Sequence, residues 1–187
     1  MKTMQIALSL LMCGVLAQAQ PGTGGNKELS ISGSYQNISN GGSSGSGAVL
    51  LSPRLGFFVY EGLELEPEIL LLFASGNDPV YMANGNVSYN FVGVGKAVPF
   101  VLAGYGIANT VPTFGVPFLS TSFRISVLNV GAGVKAFLRE NIALRMEYRF
   151  QRFTGGTVTM VSVYGYGYNT DFEVTMHTVQ FGISVLL

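Results

Sequence analysis

Few side chains in this 187-residue chain could do chemistry: ten Lys and Arg, ten Asp and Glu, one His and one Cys. Glu64, Glu66 and Glu68 recur at every second position, as do Arg145, Glu147 and Arg149. That spacing puts all members of a set on one face of a β-strand. Arg54 and Lys135 fall on the corresponding faces of their own segments, so four cations and four carboxylates share one side. Charges gathered in this way must pair with one another if they are buried. The other chemistry open to them is an ion path, with cation binding at Glu64, Glu66 and Glu68. His177 is the only imidazole; it is followed by Thr178, has no Ser nearby, and has the parity of the apolar Val179 and Phe181. One His and one Cys are too few for a transition-metal site, and no phosphate-cradling glycine motif occurs. No catalytic residue, metal or cofactor is therefore expected.

The elements that position these residues are strands, because the period is two almost everywhere. In residues 29–36, Leu29, Ile31, Gly33 and Tyr35 alternate with Ser30, Ser32, Ser34 and Gln36. In residues 49–60, Val49, Leu51, Pro53, Leu55, Phe57 and Val59 oppose Ser52, Arg54 and Gly56, with Phe58 and Tyr60 at one end. Residues 63–73 set Leu63, Leu65, Pro67, Ile69, Leu71 and Phe73 against the three glutamates, and residues 81–92 set Tyr81, Val87, Tyr89 and Phe91 against Asn86, Ser88 and Asn90. Residues 98–109 are apolar on both faces, which leaves their orientation open. Residues 129–138 alternate Val130, Ala132, Val134 and Ala136 with Gly131, Gly133 and Lys135. In residues 142–151, Ile142, Leu144, Met146, Tyr148 and Phe150 oppose Arg145, Glu147, Arg149 and Gln151; a last segment carries Val179, Phe181, Ile183, Val185 and Leu187. That makes eight strands. Pro53 and Pro67 each remove a ladder donor, so a bulge or weakened pairing is expected beside them.

What surrounds the strands follows from composition. The chain is 48% hydrophobic, 11% charged and formally neutral, whereas soluble domains are about 25% charged. Zero net charge supplies no field to attract nucleic acid. So little charge covers a water-facing surface poorly, which argues against a soluble sandwich or lipocalin-like barrel. No segment is an uninterrupted 18-residue apolar run, and the backbone rule for lipid then leaves the closed β-barrel. Aromatics near strand ends on the apolar face (Tyr35, Phe57, Phe73, Tyr81, Tyr89, Phe91, Tyr148 and Phe150) have the placement of interfacial girdles.

Connections alternate in length. Short ones fall at Glu61-Gly62, residues 93–97 and Arg139-Glu140-Asn141; long ones span residues 37–47, 74–80, 110–122 and about 152–171. Short periplasmic turns and long outer loops, with both termini periplasmic, match this alternation. The start reads as a signal peptide over residues 1–19: Lys2, an apolar run from Ile6 to Leu16, and Ala17-Gln18-Ala19 before cleavage. Lipidation at Cys13 is the weaker reading, because Met12 is bulky. Residues 20–187 then form one barrel domain. The run 41–47 is a flexible Gly/Ser loop; Tyr164, Tyr166 and Tyr168, spaced by glycines, could make surface contacts, but the plainer reading of their connection is a hairpin extending above the membrane.

These segments carry a resemblance. Residues 129–150, NVGAGVKAFLRENIALRMEYRF, resemble the penultimate hairpin of small eight-stranded outer-membrane barrels of the OmpA transmembrane-domain and OmpX-like type, and residues 98–106, VPFVLAGYG, resemble another of their strands. The terminal strand, with Val179, Phe181, Ile183, Val185 and Leu187, resembles the signal read by the barrel assembly machinery; Leu187 departs from it, since that family favours Phe or Trp there. The resemblance implies an all-β, eight-stranded antiparallel up-and-down transmembrane β-barrel in a Gram-negative outer membrane. Its implied partners are outer-membrane lipid, lipopolysaccharide and the assembly machinery, with any extracellular ligand unidentified. The role expected is structural or surface interaction around a lumen filled by Arg54, Glu64, Glu66, Glu68, Lys135, Arg145, Glu147 and Arg149. A narrow channel is the alternative, although an eight-stranded barrel is only just wide enough for its own side chains. Lipid A-modifying enzymes also exist on this scaffold; they use a His with Ser and an acid, a set His177 lacks.

Overall fold

The computed structural model describes residues 27–38, 46–74, 79–92, 95–109, 125–161 and 167–187. The expected signal segment with Cys13, most of the Gly/Ser run, and Tyr164 and Tyr166 lie outside them. Eight strands are present: β1 (Lys27–Ile38), β2 (Ser46–Tyr60), β3 (Leu63–Ala74), β4 (Val80–Asn90), β5 (Ala97–Ala108), β6 (Ile125–Arg139), β7 (Ile142–Val161) and β8 (Gly167–Leu186). Each pairs antiparallel with its sequence neighbour, and β1 closes on β8. The all-β, eight-stranded up-and-down barrel is therefore what the chain forms. Among the described residues no helix is long and apolar enough to cross a membrane.

Alternation becomes inside and outside. Leu29, Ile31, Leu55, Leu65, Ile69, Val87, Val101, Val130, Leu144 and Ile183 are exposed on the outer wall, whereas Ser30, Ser32, Ser52, Asn84, Asn86 and Ser88 are buried. Tyr35, Phe57, Phe73, Tyr81, Tyr89, Phe91 and Tyr148 also stand exposed on the outer wall. A water-soluble barrel would bury its apolar face; this one presents it. The ambiguous strand β5 is now oriented: Val98, Phe100 and Leu102 point inward, and Val101, Tyr105 and Ile107 outward.

Strand lengths give the last long connection as an extended hairpin and move its bounds. The stretch 152–171 is not mainly a loop, because β7 runs to Val161 and β8 starts at Gly167, still paired through Val161↔Gly167. Tyr168 accordingly sits within β8, opposite Met160. A tilted strand needs only about 9–11 residues to span, so these two 20-residue strands outrun the bilayer. Their β-branched and aromatic content explains the extension, since such residues suit a pleated ladder.

The prolines break the ladder without a bulge. Between β2 and β3 one register holds through Leu51↔Leu71, Arg54↔Glu68 and Phe57↔Leu65, but pairing lapses beside both Pro53 and Pro67. Asn90 donates to the Gly62 carbonyl, so even-numbered β3 residues bond toward β4 and odd ones, Pro67 and Ile69 included, face β2. Pro53 stands opposite Ile69, and Pro67 opposite Leu55, at adjacent hydrogen-bonding positions. Both missing donors thus fall on one seam. Pairing on the far sides, Ile31↔Pro53 and Pro67↔Gly85, continues. The bulge of β2 lies instead at Phe58/Tyr60, beside the Glu61-Gly62 turn, where Gly62 takes a φ of 76° that side chains resist. It pairs Tyr60 with Leu63.

Candidate functional site

The inner wall carries two layers. The lower one, toward the chain termini and short turns, collects every sequence-expected charge: Arg54, Glu64, Glu66, Glu68, Lys135, Arg145, Glu147 and Arg149 are all buried. Five strands supply them, β2, β3, β6, β7 and, through Glu28, β1. Glu28 was legible in the sequence as the even-numbered residue before Ser30 and Ser32, but it precedes the first clear alternation. Its inclusion corrects the four-against-four balance: among the described residues, Glu28, Glu64, Glu66, Glu68 and Glu147 face Arg54, Lys135, Arg145 and Arg149.

These charges are cross-linked. Arg54 Nε donates to Glu68 Oε1 at 2.8 Å, Arg54 Nη1 to Glu147 Oε2 at 2.6 Å and Arg54 Nη2 to Gln180 Oε1 at 2.8 Å. Arg149 bridges Glu68 at 2.5 Å and Glu147 at 2.6 Å. Arg145 reaches Glu66 and Glu147, both at 3.0 Å. Lys135 Nζ joins Glu28 at 2.6 Å to Glu64 at 2.9 Å. Neutral donors add to three of the carboxylates: Ser52 on Glu68, Asn84 and Asn86 on Glu68, Ser88 on Glu66 and Asn90 on Glu64. Charge-assisted bonds of this kind offset the desolvation of ions held away from water.

Small residues make room for the network. At Gly56 an added Cβ would overlap a Glu64 carboxylate oxygen, and at Gly133 it would lie 2.6 Å from the Phe100 ring. That ring lies inside the barrel, with the Arg145 guanidinium 4.3 Å from its centre, a cation–π contact. The wall is bare backbone where the largest interior groups press against it.

The second layer was not read from the sequence. Nearer the long connections, Ala48, Leu50, Leu70, Leu72, Val80, Met82, Ala108, Ile125, Val127, Phe153 and Met176 form one buried apolar cluster inside the barrel. The signal was present: Leu70 and Leu72 continue the parity of Glu64, Glu66 and Glu68, and Val127 that of Lys135. Locally apolar on both faces, those stretches show no alternation. Above the polar layer, the interior is packed as a soluble core is.

The outer wall carries one polar cluster. His177 faces outward, its Nδ1 2.6 Å from the Tyr148 hydroxyl, and its ring lies 5.2 Å from that of Phe150. Beyond it Arg152 and Glu173 form a surface ion pair at 2.6 Å. Tyr148, His177, Arg152 and Glu173 thus mark where the outer wall of β7 and β8 changes from apolar to polar. On the terminal strand Val179, Phe181, Ile183 and Leu187 are exposed outward, and Val185 is half-buried. Among the described residues, no group of His, Cys, Asp and Glu could hold a metal ion.

Comparison with solved structures gives the same architecture. Neisserial surface protein A superposes with a TM-score of 0.61 at 14% identity, covering 87% of this chain and 97% of that one. The N-terminal β-barrel domain of Pseudomonas aeruginosa OprF gives 0.58 at 16% identity, covering 88% and 100%. At these identities the likeness is one of fold. A search of curated proteins returned no significant sequence match. The profile of the outer membrane protein beta-barrel domain matches residues 6–185. With almost the whole chain inside that match, and with an apolar outer wall around a closed eight-stranded barrel, the chain belongs to the outer membrane protein beta-barrel domain family.

Proposed function

We propose that this chain is a closed-lumen barrel of the outer membrane with a structural and surface-interaction role, its loop end outside the cell and both termini periplasmic. The observation that carries the reading is the two-layer interior. An ion would first meet Leu50, Leu70, Leu72, Val127 and Phe153, then a layer whose charges already hold one another. Dehydrating an ion against the first layer is costly, and in the second each cation is already held by at least two carboxylates. The alternation of short and long connections supports the orientation. Outer-membrane lipid and lipopolysaccharide are the partners of the apolar wall, and the strand ending at Leu187 serves recognition by the assembly machinery.

Single-channel recording of the refolded chain in planar bilayers tests this. The expected result is no steady current across the physiological voltage range. Stable unitary currents would overturn the closed-lumen reading in favour of the narrow channel. No geometry favours an enzyme: His177 lies on the outer wall with Tyr148 and Phe150 around it, remote from the buried carboxylates.

A further inference from the structure

A β-bulge at the turn end of the barrel re-aims one cation. In β6, Val127, Asn129 and Lys135 point into the lumen, and unbroken alternation would send Arg139 after them. The register instead shifts between Phe137 and Arg139, and Arg139 pairs with Ile142. Ile142 has the parity of Leu144 and Met146, which stand exposed on the outer wall. Leu138 and Arg139 therefore both face outward, two residues opposing one as in a bulge. Leu138 is 63% exposed, and Arg139 is exposed beside it.

A second cation stands next to this one. Phe137 donates its N–H to the Lys96 carbonyl at 2.7 Å, which sets Lys96 on the adjoining strand, two residues from Arg139 in register. Gly95 takes a φ of 96°, a turn that glycine makes readily, and Lys96 emerges from it exposed. Among the described residues neither Lys96 nor Arg139 joins an ion pair, although Glu140 follows in the same turn. The loop end differs: there the exposed Arg152 is already held by Glu173.

With the termini periplasmic, this turn end lies among the headgroups of the inner leaflet. Above Lys96 and Arg139 the outer wall carries Ala97, Pro99, Val134 and Ala136 of β5 and β6, an apolar surface that continues from Leu138. We infer that Arg139 and Lys96 hold the headgroup of one anionic phospholipid of that leaflet, its acyl chains lying along β5 and β6. Two cations complement a headgroup of net negative charge. The guanidinium suits paired N–H bonds to phosphate oxygens, and the ammonium adds a point charge. An acidic protein segment fits less well, because Leu138 and Ala136 set the site against lipid.

The inference rests on the orientation proposed above, but its test reads lipid affinity in detergent, so lumen conductance and lipid binding can fail separately. The probe is phosphatidylglycerol, titrated into the folded full chain in micelles and followed by native mass spectrometry. Phosphatidylcholine with the same acyl chains is the reference. The first phosphatidylglycerol should bind about ten-fold more tightly than phosphatidylcholine. Lys96→Gln/Arg139→Gln should abolish that preference while the barrel remains heat-modifiable on gels. Lys27→Gln, on β1 across the lumen from β6, should change it by less than about two-fold, because screening confines the attraction to nearby charges. Equal affinity for the two lipids, or an equal loss in Lys27→Gln, would overturn the inference. So would competition by glycerol phosphate, which would make the pair a site for a free anion. Lipid A binding more tightly than phosphatidylglycerol through the same two residues would also overturn it, and would place the turn end in the outer leaflet.

Discussion

Arg54 and Glu68 join β2 to β3 through a 2.8 Å ion pair at the one height where those strands still pair between two lapses in their backbone ladder. The lapses lie beside Pro53 and Pro67. In lipid an unmade backbone hydrogen bond has no water to replace it, so the interior clamp of Arg54, Ser52 and Glu68 holds the seam that the prolines weaken.

Replacing Glu68 is therefore expected to be severe. Glu68→Ala leaves the guanidiniums of Arg54 and Arg149 without this partner inside the barrel, and breaking a buried pair costs about 3–5 kcal/mol. Urea unfolding in lipid vesicles, followed by tryptic protection of the folded barrel, should show the loss. A change under about 1 kcal/mol would mean that the clamp behaves as an exposed ion pair does.

The reverse experiment restores donors to the seam. In the Pro53→Ala/Pro67→Ala double variant, each introduced N–H faces a carbonyl across the seam, Ile69 for the first and Leu55 for the second. A ladder bond is worth about 0.5–1.5 kcal/mol, partly offset by about 0.4–1 kcal/mol of added freedom in the unfolded chain at each site. The clearest reading is hydrogen exchange: both new amides should be as protected as their strand neighbours. Rapid exchange at either would show that the seam stays apart for another reason.

The outer wall gives a test of its solvent. Val101 is 45% exposed in the middle of β5, a position at which water would tolerate a charge. If lipid covers it, Val101→Arg should destabilise the folded barrel by about 2–4 kcal/mol in bilayers. Equal stability of variant and parent in vesicles would count against the membrane-facing assignment.

The upper layer can be opened without touching a charge. Phe153 is fully buried at its centre, and Phe153→Ala should cost about 3–5 kcal/mol through lost burial and the cavity left behind. Planar-bilayer recordings of this variant should still be silent, because the lower layer remains cross-linked. Steady currents would show that the apolar layer alone had been the seal.

Much of this protein was written in its sequence. Period-two alternation is a local property, so Leu29 to Gln36, Leu63 to Phe73 and Ile142 to Gln151 declare their strands and faces without reference to any partner. The parity of Arg54 and Glu68 assigns both to the inner face; the register across the bulged turn sets them opposite each other. Sparse charge identified lipid as the outer solvent.

Only the closed barrel decided the rest. Glu28 and Lys135 are 107 residues apart in sequence and meet because the wall curves until β1 and β6 look at each other across the lumen. Leu50 and Leu70 were ambiguous where both faces are apolar, Val127 and Phe153 lay outside the expected strands, and their inward direction became definite once neighbouring strands set the register. The shortness of the β1–β8 seam depends on where the first and last strands meet after every other pairing is made. Hydrophobic alternation is a short-range code; closure and interior layering are long-range consequences of eight registers satisfied together.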